Sequence, residues 1–230
     1  RDPRHDFEVN AFGTFNVLEA ARSATSQPLF IYASTNKVYG GMEDVGVEVG
    51  SGFGAHELDG RYQYTTLALG IPESQNLDFH SPYGCSKGAA DQYVRDYSRI
   101  YGLRTAVLRQ SCIYGPRQFG VEDQGWVAWF TIAAVFGRAF HIFGDGLQVR
   151  DVLHVDDLIE AYARVAELGD SMHGEILNIG GGAANSMTLR GLIRMLEART
   201  SRTLEYDFDD WRPGDQPVYI GDIRRATERL

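Results

Sequence analysis

Two cysteines in 230 residues, Cys85 and Cys112, are too few for a disulfide framework, and they read as small packing residues rather than nucleophiles. Six histidines are scattered with no H-x-x-H or C-x-x-C spacing, so no metal site is expected. Basic residues number 22 against 31 acidic, and a net charge of −9 argues against a nucleic-acid partner, which requires a basic face. No apolar run approaches the roughly 18 residues of a membrane helix, and no signal peptide is visible. Internal repeats and low-complexity stretches are also missing. The expectation is a reduced, cytoplasmic protein with neither membrane nor nucleic acid as partner. Hydrophobic residues make up 43% of the chain, enough for one well-buried domain or two lobes.

Apolar periodicity predicts an alternation of helices and strands. A first amphipathic helix spans Gly13 to Arg22, with Phe7, Phe15, Leu18 and Ala21 spaced to face a core. Leu29 to Thr35 is an apolar run ending in the hydroxyls of Ser-Thr, as in a buried parallel strand. Gly41 to Phe79 is polar, glycine-rich and aperiodic, a loop of a length that is usually functional. A helix runs from Pro82 to about Tyr101, and Thr105 to Arg109 is the next buried strand. Ser111 to Gln118 reads as a turn leaving the sheet, followed by an apolar helix between Gly125 and Gly137. Strands are expected at Phe140–Phe143, Gln148–His154, Glu175–Ile179 and Leu204–Tyr206. Helices are expected from Asp156 to Leu168, from the cap Thr188 to Arg199, and from Asp222 onward. Gly180 to Gly182 lacks the G-x-G-x-x-G spacing and reads as a plain turn.

Tyr83 and Lys87 lie four positions apart at the start of the long helix, which puts them on one face a turn apart. A phenol with an ordinary pKa near ~10 is a poor proton carrier at neutral pH. A neighbouring ammonium favours the phenolate and lowers that value by roughly one to three units. Upstream, the hydroxyls of Ser34 and Thr35 arrive at a strand's carboxyl end, where open α/β sheets bind ligands.

The strand-end hydroxyl followed by Y-x-x-x-K at a helix start resembles the extended short-chain dehydrogenase/reductase superfamily, the NAD-dependent epimerase/dehydratases. The resemblance implies a Rossmann-like, doubly wound parallel sheet with a smaller C-terminal α/β substrate-binding lobe. The remaining part of the NAD-binding domain is placed at residues 1–114. The substrate lobe is placed mainly at 115–230, interleaved with the first. Thr35, Tyr83 and Lys87 match the family's catalytic set. Thr35 orients a sugar hydroxyl, Tyr83 takes its proton, and Lys87 supports the phenolate and reaches the cofactor ribose. Hydride transfer requires a cofactor, here NAD, because no side chain accepts hydride. Ser34 is read as a hydrogen-bonding group at the strand end, on the cofactor side. Asn10 either bridges from its helix to the active site on that side or caps a bend. His154 is read as a buried histidine at a helix entrance rather than a base or metal ligand.

Arg150 and Arg212 match the family's two cationic clamps on a nucleotide-sugar diphosphate, with Arg117 a weaker third substrate-binding candidate. The bland alternative is surface arginines paired with Asp151 or Asp215. Asn36-Lys37 follows Thr35 where 4,6-dehydratases commonly carry acidic residues, which argues against dehydration. Within the family, Ser34 to Gly40 together with Leu77 to Tyr93, and then Tyr114 to Phe119 and Asp123 to Val127, are similar to epimerases of CDP-hexoses that work by transient oxidation at C2. A UDP-glucose 4-epimerase type and a non-catalytic sugar-nucleotide binding protein are the alternatives. No strand, G-x-x-G-x-x-G turn or ribose-binding acid precedes the first helix. The chain is therefore expected to be a fragment starting about 80 residues into such a protein and ending about one helix early, by the family's usual length. The piece alone is expected to be inactive. The whole protein is expected to be a homodimer or larger homo-oligomer through the Tyr83 helix, by way of Ala89, Ala90, Tyr93 and Tyr97.

Overall fold

The computed structural model describes residues 2–51, 56, 58–122, 124–212 and 214–230. The chain opens on a continuous helical segment: α1 (Pro3–Asp6), a π-helical stretch Phe7–Phe12, and α2 (Gly13–Ser23). Asp2 caps it, its Oδ1 accepting from the Arg4 amide at 3.0 Å, and Pro3 follows at a first-turn position that needs no N–H.

Three parallel strands form the central sheet in the order β1 (Phe30–Thr35), β4 (Thr105–Gln110), β8 (Glu175–Ile179). Apart from Ala33, which is exposed, their apolar side chains are covered on both faces, as the near-continuous hydrophobic runs demand. On one face α2 and α3 (Ser81–Tyr101) bring Leu18, Ala90, Val94 and Tyr97 against Tyr32 and Val107. On the other, α5 (Val155–Leu168) and α7 (Arg224–Arg229) bring Val165 and Ala226 against Leu108 and Leu177. The fold is a doubly wound parallel α/β sheet, as the sequence suggested.

The second lobe centres on β7 (Val149–His154), which pairs in parallel with β5 (Cys112–Tyr114) and β11 (Val218–Tyr219) and antiparallel with β9 (Ser186–Thr188). A parallel pair, β6 (Phe140–Phe143) and β10 (Tyr206–Asp209), packs with α4 (Trp126–Phe136) and α6 (Leu189–Thr200) around Phe130, Phe140 and Leu192. Phe130 stacks on Phe140 at 4.5 Å, and Phe140 on Tyr206 at 5.8 Å. The tail returns to the first half: Ile71 bridges to Gly221, and Tyr219 stacks on Tyr39 at 6.2 Å.

Several expectations are corrected. Phe7 and Phe15 are 59% and 36% exposed, so only Leu18 and Ala21 of the proposed stripe are buried; Phe7 lies in the π-helical stretch, which breaks the 3.6-residue count, and Phe15 packs edge-on against the half-exposed Tyr93 at 6.0 Å. The aperiodic segment 41–79 contains an antiparallel hairpin, β2 (Val47–Gly50) with β3 (Arg61–Tyr64). Cys112 to Tyr114 is a short strand rather than a turn, and the late strand begins at Tyr206 rather than Leu204. Of the face offered for oligomerisation, Ala90 and Tyr97 belong to the interior, while Tyr93 is half exposed.

Candidate active site

Helix α3 begins tightly. Ser81 takes a left-handed φ of 66°, its Oγ accepts from the Gly84 amide at 3.1 Å, and Pro82 occupies the first turn. Tyr83 and Lys87 follow on one face. The Lys87 ammonium crosses to β1, where it donates to the Ala33 carbonyl at 2.6 Å and lies 4.8 Å from the centre of the Tyr32 ring. The Tyr32 hydroxyl returns a bond to the Lys87 carbonyl at 3.2 Å. Desolvation by burial holds the Lys87 pKa below the ordinary lysine value. Burial, and after it the Asp91 carboxylate, pushes the Tyr32 phenol well above its usual range, with Tyr83 adding to the same effect.

Thr35 ends β1 and caps a 3-10 turn, Asn36–Tyr39, its Oγ1 accepting from the Lys37 amide at 3.3 Å. The strand end and the first turns of α3 thus come together, as the motif requires. Asn10 joins them: its Nδ2 donates to Ser86 Oγ at 3.1 Å, and that hydroxyl donates to the Tyr83 carbonyl at 2.9 Å. The Asn10 side chain thus reaches α3.

Tyr83 lines a cleft of about 810 Å³, within the range of small-molecule sites, together with Lys37, Arg150, Arg212 and Asp215. Arg150 is 8% exposed, and its Nη2 donates to Asp215 Oδ1 at 2.7 Å. Arg212 lies over the Phe143 ring at 3.8 Å and donates to the Glu122 carbonyl at 3.2 Å. Arg117 is exposed in a left-handed conformation, φ 65°, and does not line this cleft. Its neighbour in the quoted motifs, Asp123, lies outside the described residues, as does Pro213. Ser34 is buried and donates to Asp91 Oδ2 at 2.7 Å, so its hydroxyl is engaged in the interior. His154 caps α5 through Nδ1 and meets Tyr114 edge-on at 5.4 Å. Among the described residues there is no cluster of metal-ligating side chains, and no helix is long and apolar enough to cross a membrane.

Two features went unread in the sequence. Beneath the site, Arg109 and Asp91 form a buried ion pair that Tyr39 extends, accepting from Arg109 Nη1 at 3.1 Å and donating to Asn178 at 2.7 Å. An arginine inside the apolar strand Thr105–Gln110 was the available signal, since such a charge needs a partner. The other is the pair of cleft residues Lys37 and Asp215, for which only their places in the motifs gave a hint.

A doubly wound sheet whose strand-end threonine stands beside a Tyr–Lys helix defines a protein of the short-chain dehydrogenase/reductase class. The profile of the NAD dependent epimerase/dehydratase family matches residues 1–180, and the chain belongs to that family. It is 44% identical to CDP-paratose 2-epimerase of Salmonella typhi, over 100% of this chain and 67% of that protein. It is 30% identical to UDP-glucose 4-epimerase of Mycolicibacterium smegmatis, over 98% of this chain and 61% of that one. The structure of UDP-glucose 4-epimerase from Thermotoga maritima with UDP-glucose superposes with a TM-score of 0.77 at 31% identity, covering 99% of this chain and 65% of the other. UDP-glucuronic acid 4-epimerase from Bacillus cereus, solved with UDP-glucuronic acid and NAD, gives 0.75 at 26%, covering 96% and 60%. The chain therefore spans about two thirds of the length of the relatives it matches.

The residues present fit the nicotinamide-ribose end of NAD. An ammonium carries three protons and the Ala33 carbonyl takes one, so Lys87 has donors suited to a ribose hydroxyl at the strand end. A G-x-x-G-x-x-G turn for the pyrophosphate is not among the 230 residues.

Proposed function

We propose that this chain carries the catalytic and substrate-binding part of an NAD-dependent nucleotide-sugar epimerase that inverts C2 of a CDP-hexose. The observation that carries the reading is the meeting of Tyr83 with Arg150 and Arg212 along one cleft, while Lys87 reaches from the same helix to the strand end. Bound NAD supplies hydride acceptance and return. Thr35 orients the reacting hydroxyl of the sugar. Tyr83, as phenolate, takes the hydroxyl proton and gives it back after the ketone has turned its other face. Lys87 stabilises the phenolate. Arg150 and Arg212 hold the diphosphate through planar, bidentate donors, and Asn10 fixes the first turn of α3 through Ser86. Arg117 is a candidate only for the outer part of the nucleotide, and Ser34 acts on the cofactor side through Asp91 rather than by direct contact. Residues 1–114 form the cofactor-side domain and 115–230 mainly the substrate lobe.

The 44% identity to CDP-paratose 2-epimerase supports C2 and cytidine. The likeness to UDP-glucose 4-epimerase supports a second reading, reaction at C4 of a UDP-sugar. Turnover of CDP-, UDP- and dTDP-hexoses by the full-length protein with NAD separates them, and selective turnover of a UDP-sugar at C4 would sink the first. The 230 residues by themselves lack the pyrophosphate turn and are expected to show no turnover. The working protein is read as a cytoplasmic homo-oligomer, with exposed Tyr93, Ile100 and Tyr101 on α3 as the meeting surface.

A further inference from the structure

Lys37 lines the cleft with Tyr83, and the reaction proposed above gives it no task. Its backbone sits on the reacting side. It lies two residues beyond Thr35, and a Cβ at Gly84, in the first turn of α3, would stand 3.4 Å from the Lys37 carbonyl oxygen. Its side chain reaches the other way, to 3.6 Å from Asp215 Oδ1, the oxygen that already accepts from Arg150 at 2.7 Å. One carboxylate therefore faces two cations, and the shorter contact goes to the arginine.

A separation of 3.6 Å pairs charges but is longer than an N–H···O hydrogen bond. An oxygen placed to one side of the pair can bond both groups at hydrogen-bond distance: a hydroxyl accepts from an ammonium and donates to a carboxylate. Burial, followed by the nearby Arg150, holds the Lys37 pKa below the ordinary lysine value. With 37% of its side chain exposed, the ammonium is open to a ligand in the cleft.

Resting on the nucleotide-sugar reading, we infer that Lys37 is a specificity-determining residue that donates to a hydroxyl of the sugar ring bound beside Tyr83, with Asp215 accepting from that same hydroxyl. The diphosphate is left to Arg150 and Arg212. A cation at this point also has no lone pair with which to pull a proton from carbon next to a ketone. The oxidised sugar consequently keeps its hydroxyls, and epimerisation is not diverted into loss of water.

The test is calorimetric titration of the full-length protein, loaded with NAD, against two matched pairs: CDP with CDP-glucose, and UDP with UDP-glucose. For whichever pair binds the wild type, Lys37→Met is expected to leave the nucleoside diphosphate within about twofold and to weaken the nucleotide sugar at least about tenfold. Lys37→Gln, which keeps a donor without the charge, gives a smaller loss in the same direction and serves if the first variant does not fold. Equal weakening of both ligands would assign Lys37 to the diphosphate and overturn the inference; an unchanged nucleotide sugar would overturn it too. A wild type that binds neither pair overturns the nucleotide-sugar reading itself.

Discussion

Asp91 receives Arg109 through both arms of the guanidinium, Nε to Oδ2 and Nη2 to Oδ1, each at 3.0 Å, with neither side chain more than 1% exposed. The pair joins α3 to β4 directly below Ser34. Removing one partner strands a buried charge, at a cost of about 3–5 kcal/mol. Arg109→Met and Asp91→Leu are each expected to lower the unfolding free energy by that amount, and the double variant by clearly less than the sum. A denaturant double-mutant cycle measures this, and additive losses would contradict the pairing.

Tyr83→Phe keeps the ring and deletes the hydroxyl proposed to carry the proton. In the full-length protein with NAD, kcat is expected to fall by roughly 10²–10⁴, while the dissociation constant of the nucleotide sugar stays within about twofold. Stopped turnover together with intact calorimetric binding is the signature to look for.

Lys87 discharges at a lower pH than an ordinary lysine because burial favours its neutral form. As pH rises, support for the phenolate is lost below the usual lysine value of ~10.4. The kcat/KM profile is therefore expected to decline on its alkaline side before that pH. A plateau extending past it would show that the charge of Lys87 is not needed.

Asp151 is buried and accepts from the Gly182 and Gly221 amides at 3.2 Å, yet desolvation raises its pKa to about 6. The folded chain then holds a proton that an unfolded carboxyl, near ~3.9, has already released. Between those values the native state binds more protons, so stability falls as pH rises. The wild type is expected to lose about 3 kcal/mol relative to Asp151→Asn across that interval. Urea unfolding of both proteins from pH 4 to 7 checks this, and parallel curves would refute it.

Gly40 has a φ of 67°, and a Cβ there would lie 2.0 Å from the Asp78 carbonyl oxygen. Backbone strain and a clash with main chain act together, so Gly40→Ala is expected to cost at least about 2 kcal/mol. A thermal midpoint unchanged from wild type would be incompatible with this turn.

Elements with a continuous apolar run between glycines were legible in the sequence to within a residue. Phe140–Phe143, Glu175–Ile179 and the helix framed by Gly125 and Gly137 are such cases. The hairpin was not, because Val47–Gly50 is largely exposed and four residues are too few to show a period. Of the candidate site, the placement of Tyr83 and Lys87 on one helix face was readable from their four-residue spacing, and that of Thr35 at a strand end from the apolar run before it. Arg117 was the weaker candidate in the sequence, and the fold leaves it in an exposed loop while Arg150 lies against Asp215. Lys37 and Asp215 meet across 178 positions with no local pattern to announce it. Phe7 misled because a π-helical turn breaks the 3.6-residue count on which the stripe was drawn.

The return of the tail to Ile71 and Tyr39 has a consequence for biosynthesis. A nascent chain presents the threonine strand and the Tyr–Lys helix early, yet the turn after that strand is packed at Tyr39 only when Tyr219 arrives, some way beyond the cleft-lining Arg212 and Asp215. Synthesis past Tyr219, not arrival of the Tyr–Lys helix, is the moment from which that contact can form.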